Sequence, residues 1–149
     1  LSPIVMRRGA ALVMGGSGYD YGSGSTMTLA DTTIGELAAK KAEVAAGSSM
    51  IRIKHGGVTG AGDERVYVSI VLRNDSAFAV NVKYEIESYG TIWGPDPMTL
   101  EAGETVVIPI VVQGLGSDQT PYHRILFTDG AAEGTAVSFC GFLMERASA

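Results

Sequence analysis

Apolar and polar side chains alternate with a period of two through much of the chain after residue 50. Residues 65–72 show this alternation, and residues 80–87 repeat it with Val80, Val82, Tyr84 and Ile86 as the apolar set. Because successive side chains of a β-strand point to opposite faces, the period predicts two half-buried strands. Between them, Asn74, Asp75 and Ser76 are residue types that favour a turn.

Two later segments are apolar on both alternating faces. In residues 105–112, Val and Ile occupy both faces, and residues 135–144 carry Phe139 and Phe142 on opposite faces. Pro109 has no N–H to donate, which predicts that its segment is an edge strand or carries a bulge. Leaving such faces in water would forfeit much of a domain's stability, so we expect the N-terminal part of the chain or another subunit to cover at least one of them.

One segment before residue 50 has a helical pattern. Thr33 and Glu36 match a capping box, and Gly47 stands where a helix C-terminal cap belongs. The apolar stripe of such a helix is narrow, because few of its members are large. The sequence therefore predicts a short helix at residues 33–46 that lies against a surface.

The predicted fold class is all-β: an antiparallel β-sandwich at residues 50–149, preceded at residues 1–49 by an extended, glycine-rich arm and the short helix. Residues 1–25 hold too few large apolar side chains for a core of their own. The order of strands and turns at residues 50–144 resembles immunoglobulin-like sandwiches, although the Cys, Trp, Cys spacing of antibody domains is absent. A jelly roll fits the same pattern.

Composition narrows the classes of partner. Of 149 residues, 46% are hydrophobic and 18% are charged, and the formal net charge of −5 opposes binding to nucleic acid, to other polyanions and to anionic membranes. No apolar run approaches the roughly 20 residues that a membrane-spanning helix needs. Cys140 is the single cysteine, so neither an intrachain disulfide nor a cysteine metal cluster can form. Because the first residue is Leu1, we expect an upstream segment that was cleaved or is not included in the sequence.

No motif for catalysis or cofactor binding stands out. Residues 10–18 resemble the first strand and glycine turn of short-chain dehydrogenases, but the following residues are a poor helix and could not hold a pyrophosphate. The histidines are His55 and His123, and neither lies in a hydrolase motif. The sequence therefore predicts no enzyme, no cofactor and no metal site, with both histidines structural or solvated.

Aromatic residues are the best candidates for contact with a partner. Trp93 and Tyr89 lie in a segment rich in proline and glycine, which predicts a rigid loop, and aromatic side chains on such loops can stack on sugars or anchor interfaces. The alternative is that Trp93 plugs the end of the sandwich. Tyr19 and Tyr21 in the arm, and Pro109 on the predicted edge strand, complete the candidate contact residues.

The leading functional hypothesis is a structural assembly protein, a subunit of a virion surface or a capsid decoration. The resemblance to virion decoration proteins is architectural, and it implies a homo-oligomer or capsid assembly in which the sandwich associates through its edge strand and apolar face. Residues 1–25 would reach an adjacent subunit, on a virion surface or outside the cell. The alternatives are a carbohydrate-binding module that holds a glycan with Trp93 and Tyr89, and a subunit of an extracellular appendage.

Overall fold

The computed structural model describes residues 5–12, 19–20, 27–54, 65–88, 90–113 and 122–147. Within these ranges every regular element is a strand, and no helix is long and apolar enough to cross a bilayer. In chain order the strands are β1 (Val5–Leu12), β2 (Tyr19–Asp20), β3 (Met27–Ile34), β4 (Leu37–Val44), β5 (Met50–Lys54), β6 (Arg65–Asn74), β7 (Val80–Ser88), β8 (Thr91–Trp93), β9 (Met98–Leu100), β10 (Thr105–Gln113), β11 (Tyr122–Phe127) and β12 (Ala136–Ala147).

These strands form two antiparallel sheets that pack face to face. In the first sheet the order is β10, β6, β12, β4, β3, and β1 also pairs with β12. In the second sheet the order is β2, β5, β11, β7, β8, and β9 also pairs with β7. The antiparallel β-sandwich predicted from the two-residue period is confirmed, and its first sheet takes strands from both sides of residue 50.

The core lies between the sheets and is built from the alternating apolar positions. Ile70 and Leu72 of the first sheet point inward and are fully buried. They share one cluster with Ile86 and Ile125 of the second sheet. Burying a side chain of this size contributes roughly 1.5 to 3 kcal/mol, so the predicted inward residues supply much of the stability of the fold.

The predicted turn after β6 is confirmed, and it is held by a buried asparagine. The Nδ2 of Asn74 donates to the carbonyl oxygens of Phe78 at 2.8 Å and Leu100 at 3.0 Å. Its Oδ1 accepts a hydrogen bond from the backbone N–H of Ser76 at 2.9 Å. Asn74 therefore ties the connection between β6 and β7 to the end of β9.

The helix predicted at residues 33–46 is wrong, because this segment contains the end of β3, a tight turn and β4. Ile34 and Leu37 are opposite each other in the hairpin register, so Gly35 and Glu36 form the turn. Gly35 has a φ of 59°, the left-handed value that a two-residue hairpin turn needs at its first position. Pairing of β4 with β12 overrides the local capping pattern.

The hairpin of β3 and β4 covers part of the outward face of the first sheet. β12 pairs with β4 through residues 136–139 and with β1 further along, so the tip of the hairpin leaves the ladder. The Nη1 of Arg73 on β6 donates to the carbonyl oxygen of Thr33 at 3.2 Å and fixes this tip. The buried residues of the resulting apolar cluster are Ile34, Ala39, Val71 and Cys140. At Cys140, therefore, the cover expected for this face of β12 comes from the same chain.

β10 lies at the edge of the first sheet, as Pro109 predicted. Among the described strands it pairs with β6 alone, and the register runs from Thr105 to Gln113 without a shift. The segment is therefore an edge strand without a bulge. Pro109 is exposed, and its neighbours Ile108 and Ile110 are buried in the core.

Candidate binding face on the second sheet

The outward face of the second sheet carries polar side chains in rows across β5, β11 and β7. The register places Arg52 opposite Arg124, and Arg124 opposite Glu85. In the next row, Tyr122 is opposite Glu87. These positions alternate with the inward residues of the core, so their side chains point away from it. We call the following residues the polar face: Arg52, Lys83, Glu85, Glu87, Tyr122 and Arg124.

Glu85 is the centre of the polar face, and it is buried although it points outward. Its side chain is only 3% exposed, because Lys83 and Arg124 reach over it. The Nζ of Lys83 lies 2.7 Å from Oε2 of Glu85, and the Nη2 of Arg124 pairs with Oε1. A buried carboxylate is costly unless it is paired in this way, so the three side chains hold one another in a fixed geometry.

The loop between β8 and β9 approaches the polar face at the same point. β8 and β9 pair with opposite ends of β7, so residues 94–97 pass beside its middle. A Cβ added at Gly94 would overlap the carbonyl oxygen of Tyr84 and lie 3.0 Å from the Cα of Glu85. This close approach of two backbone segments requires glycine, and it contributes to the burial of Glu85.

Tyr122 supplies an aromatic surface beside the ion pairs. The guanidinium carbon of Arg52 lies 4.4 Å from the centroid of the Tyr122 ring, which is a cation–π contact. Glu87 accepts a hydrogen bond from the backbone N–H of Gly90 at 2.9 Å. Ile92 of β8 is opposite Glu87 and is 50% exposed, so the row ends in an apolar side chain.

The polar face offers fixed hydrogen-bonding groups next to an aromatic ring. In the described part of the chain, no group of three or more His, Cys, Asp or Glu side chains is placed to hold a metal ion. Guanidinium groups donate hydrogen bonds and carboxylates accept them, so the face suits a ligand that carries many hydroxyl groups. The groups that it presents can form hydrogen bonds and stacking contacts.

On the inward side of the same strands, Tyr84 and His123 form a buried pair. The hydroxyl of Tyr84 is hydrogen-bonded to Nδ1 of His123, and their rings stack with centroids 5.7 Å apart. Burial raises the pKa of Tyr84 well above its ordinary value, because the phenolate would lose its solvation. His123 is therefore structural, which is one of the two roles predicted for it, whereas His55 lies outside the described residues.

Trp93 is the predicted contact aromatic whose side chain the structure describes. It lies opposite the buried Ile86 and packs against the main core cluster while remaining partly exposed. This position matches the plug that the sequence left as the alternative to a contact residue. Trp93 is therefore part of the inward side of the second sheet rather than of the polar face.

Of the other predicted contact residues, Pro109 is the one whose side chain the structure describes. Tyr89 and Tyr21 lie outside the described residues. The backbone of Tyr19 belongs to β2, where it is opposite Ile53. Pro109 is exposed on the outward side of the first sheet, whereas Trp93 faces the core.

Sequence reasoning missed Arg52, Tyr122 and Arg124. A signal for the last two was present, because they flank His123 on a strand and must face opposite to it if it points inward. Glu85 was recognised as outward from the alternation of β7. The neighbourhood of β5, β11 and β7, which brings these side chains together, is a property of the topology and not of any one strand.

A cleft of about 390 Å³ lies on the first sheet, where the base of the β3–β4 hairpin meets the start of β12. Its lining includes Met27, Glu43 and Thr135, and no residue of the polar face. The cleft and the polar face are therefore separate features of the described structure.

Comparison with known proteins identifies the kind of fold. The sequence matches no family model and no curated protein. The xylan-binding domain of a family 22 carbohydrate-binding module from Paenibacillus barcinonensis matches with a TM-score of 0.60 at 10% identity, covering 89% of this chain and 87% of that one. A family 29 carbohydrate-binding module matches with a TM-score of 0.56 at 14% identity, covering 95% and 88%. The chain is similar in fold to carbohydrate-binding modules.

A larger structure matches as well. It contains a family 22 carbohydrate-binding module and the glycoside hydrolase family 10 module of xylanase 10B from Clostridium thermocellum, complexed with xylohexaose. The TM-score is 0.61 at 12% identity over 85% of this chain, but the chain spans only 25% of that protein. The likeness concerns the fold of one module and not the xylanase as a whole.

The hypothesis of a virion surface or capsid-decoration subunit is wrong. It depended on an acidic sandwich with a glycine-rich N-terminus, which unrelated proteins share, and the solved structures that match are carbohydrate-binding modules instead. The comparison therefore favours the alternative that the sequence had left open, a module that holds a glycan.

Proposed function

We propose that this chain is a carbohydrate-binding module that holds a glycan on the polar face of the second sheet. The observation that carries the proposal is the buried Glu85 with Lys83 and Arg124 fixed around it, next to Tyr122 in contact with Arg52. Side chains that already hold one another lose little conformational freedom when a ligand binds, so this face is organised in advance for recognition.

The chemistry of sugars fits these side chains. A pyranose presents hydroxyl groups that both donate and accept hydrogen bonds, and its C–H faces pack against aromatic rings. Tyr122 provides the ring, Arg52 and Arg124 provide donors, and Glu87 provides a partly exposed acceptor. A glycan lying across β5, β11 and β7 would meet all of these groups in two adjacent rows.

The substitutions and ligands in the matching solved structures also support the proposal. In the family 29 module, an arginine, a tyrosine, an aspartate and lysines were each replaced by alanine to probe the mechanism of ligand recognition. Arginine, tyrosine and lysine are also the residue types of the polar face. The family 22 relative is a xylan-binding domain, and one family 29 structure holds cellulohexaose, so xylan and cello-oligosaccharides are the first ligands to test.

One further predicted contact residue, Tyr89, lies between β7 and β8 along the chain. We retain it as a proposed additional contact with the glycan. Tyr19 is not included, because the register places it opposite Ile53, in the row of the inward His123, and not opposite Arg52. The role is binding without catalysis, and it implies a location outside the cell, where polysaccharides are encountered.

Isothermal titration of the intact chain with xylohexaose, cellohexaose and soluble xylan tests the proposal. Replacement of Tyr122 by alanine removes the stacking surface, so we expect at least a roughly tenfold loss of affinity. The matched control is Lys40→Ala on the first sheet, where Lys40 pairs with the exposed Asp31. We expect the control to bind like the native chain, because the substituted residue lies on the other sheet.

Two outcomes would overturn the proposal. One is the absence of binding to every glycan in a panel of neutral and acidic polysaccharides. The other is an equal loss of affinity in Tyr122→Ala and Lys40→Ala, which would place the ligand away from the polar face. Thermal melts of both variants show whether each remains folded during the titration.

A further inference from the structure

Arg52 and Arg124 are directly opposite each other on neighbouring strands of the polar face. Side chains in such positions have Cβ atoms about 5 Å apart, and like charges there destabilise a sheet. Each guanidinium group has neighbours of its own. Arg124 pairs with Glu85, whereas Arg52 lies over the ring of Tyr122 and is opposite Asp20 of β2 in the register. The fold thus holds two guanidinium groups in one row of the polar face.

Arg124 has hydrogen-bonding capacity beyond its ion pair with Glu85, because a guanidinium group carries several N–H donors. Its side chain is 19% exposed, so a ligand on the polar face can reach part of the guanidinium group. The side chain of Arg52 is also partly exposed. An acceptor oxygen between the two arginines could therefore accept hydrogen bonds from both.

We infer that the Arg52–Arg124 pair recognises the carboxylate of a uronic acid residue within the bound glycan. This inference rests on the proposed function and specifies its ligand. The two oxygens of a carboxylate match the fork of N–H groups on a guanidinium, and a group between two arginines accepts from both. The ring of Tyr122 next to Arg52 would pack against the sugar that carries the carboxylate.

The recognised uronate is an isolated substituent on an otherwise neutral glycan. The chain as a whole has a formal net charge of −5, which repels a continuous polyanion. On the polar face itself, Glu85 and Glu87 lie on β7, so a second carboxylate displaced toward β7 would meet like charge. A single carboxylate between β5 and β11 avoids this repulsion.

The experiment compares three polymers with the intact chain by isothermal titration. They are glucuronoxylan, the same glucuronoxylan after reduction of its carboxyl groups to alcohols, and polygalacturonate. We expect glucuronoxylan to bind roughly tenfold tighter than its reduced form, because a hydrogen-bonded charge pair is lost on reduction. Higher salt should weaken the binding of glucuronoxylan more than the binding of its reduced form, since only glucuronoxylan carries a charged group.

Two variants test whether the arginine pair causes the difference in affinity between glucuronoxylan and its reduced form. Arg52→Gln should bring the affinity for glucuronoxylan down to that for the reduced polymer. Arg124→Lys keeps a positive charge near the buried Glu85 but lacks the guanidinium fork, so it should reduce the preference while remaining folded. Lys40→Ala on the first sheet should keep the native preference, because the substituted residue lies outside the polar face.

The outcomes separate this inference from the proposed function. Equal affinity for glucuronoxylan and its reduced form would overturn the uronate inference and leave glycan binding standing. Tighter binding of polygalacturonate than of glucuronoxylan would overturn recognition of an isolated uronate. Failure to bind any of the polymers, or any neutral glycan, would overturn the proposed function and this inference together.

Discussion

The hydroxyl of Tyr84 and the Nδ1 of His123 share a hydrogen bond at the centre of the sandwich, where neither side chain reaches solvent. Glu85 and Arg124 are the next residues along the same two strands, and they form the central ion pair of the polar face. The buried pair and the ion pair therefore lie on opposite sides of one short stretch of paired backbone. A change in the core at this point can therefore alter the polar face through the backbone of both strands.

Alkaline unfolding should depend on Tyr84. Burial raises its pKa in the folded chain well above the ordinary value of 10.0. Above about pH 10, the unfolded chain releases the phenolic proton of Tyr84 whereas the folded chain retains it. The free energy of unfolding therefore falls as the pH rises above this value. Below about pH 9 both states keep the proton and the contribution is constant.

Thermal melts between pH 7 and pH 11 test this prediction on the native chain and on Tyr84→Phe. The variant should lose stability less steeply above about pH 10, because it has no phenol to ionise at this position. Identical slopes in the two proteins would show that other groups account for the alkaline transition.

Trp93→Ala should destabilise the fold. The ring packs against the core opposite Ile86, so its removal leaves a cavity, and we expect the free energy of unfolding to fall by about 2 to 3 kcal/mol in urea denaturation. Phe78→Ala is the control, because this aromatic side chain is 37% exposed and should cost about 1 kcal/mol or less. Unchanged stability together with lost glycan binding would instead make Trp93 a contact residue.

Gly94→Ala should affect both stability and the polar face. The added Cβ would overlap the carbonyl oxygen of Tyr84, so the loop or β7 must shift, and we expect a loss of about 2 to 4 kcal/mol. In Gly103→Ala the new Cβ meets no atom within 4 Å, although the φ of 78° still strains alanine by about 1 kcal/mol. Calorimetry that finds the two variants equally stable would contradict the close approach at Gly94.

The reaction rate of the Cys140 thiol should depend on how tightly the β3–β4 hairpin packs over it. Burial beneath the hairpin raises the pKa of its thiol, so we expect slow reaction with a disulfide reagent at pH 8. Leu37→Ser weakens the packing of the hairpin tip on this cluster and should accelerate the reaction severalfold. Ala38→Ser, at an exposed position of the same strand, is the control and should leave the rate unchanged.

The sandwich could be predicted from the sequence because the decisive information is local. The alternation of residues 80–87 determines which side of β7 enters the core, and Pro109 restricts its segment to an edge or a bulge. The β3–β4 hairpin could not be predicted in this way. Thr33 and Glu36 satisfy a helix cap in isolation, and only the ladder between β4 and β12 makes the extended form more stable.

The polar face was accessible from the sequence only in part. The alternation shows that Lys83 and Glu85 point outward, but it does not show which strand lies beside β7. The meeting of Arg52, Arg124 and Glu85 depends on the order β5, β11, β7, and these strands are far apart along the chain. Aromatic content directed attention to Trp93, whereas burial separates it from the surface where Tyr122 lies.

Pro109 also affects how neighbouring molecules meet. A strand arriving from another copy would find, halfway along the outer edge of β10, a backbone nitrogen with no hydrogen to share and a ring that obstructs its approach. Fusion of sheets between copies is therefore disfavoured at this edge. We expect this edge to resist fibril formation even when many molecules are crowded together at high concentration.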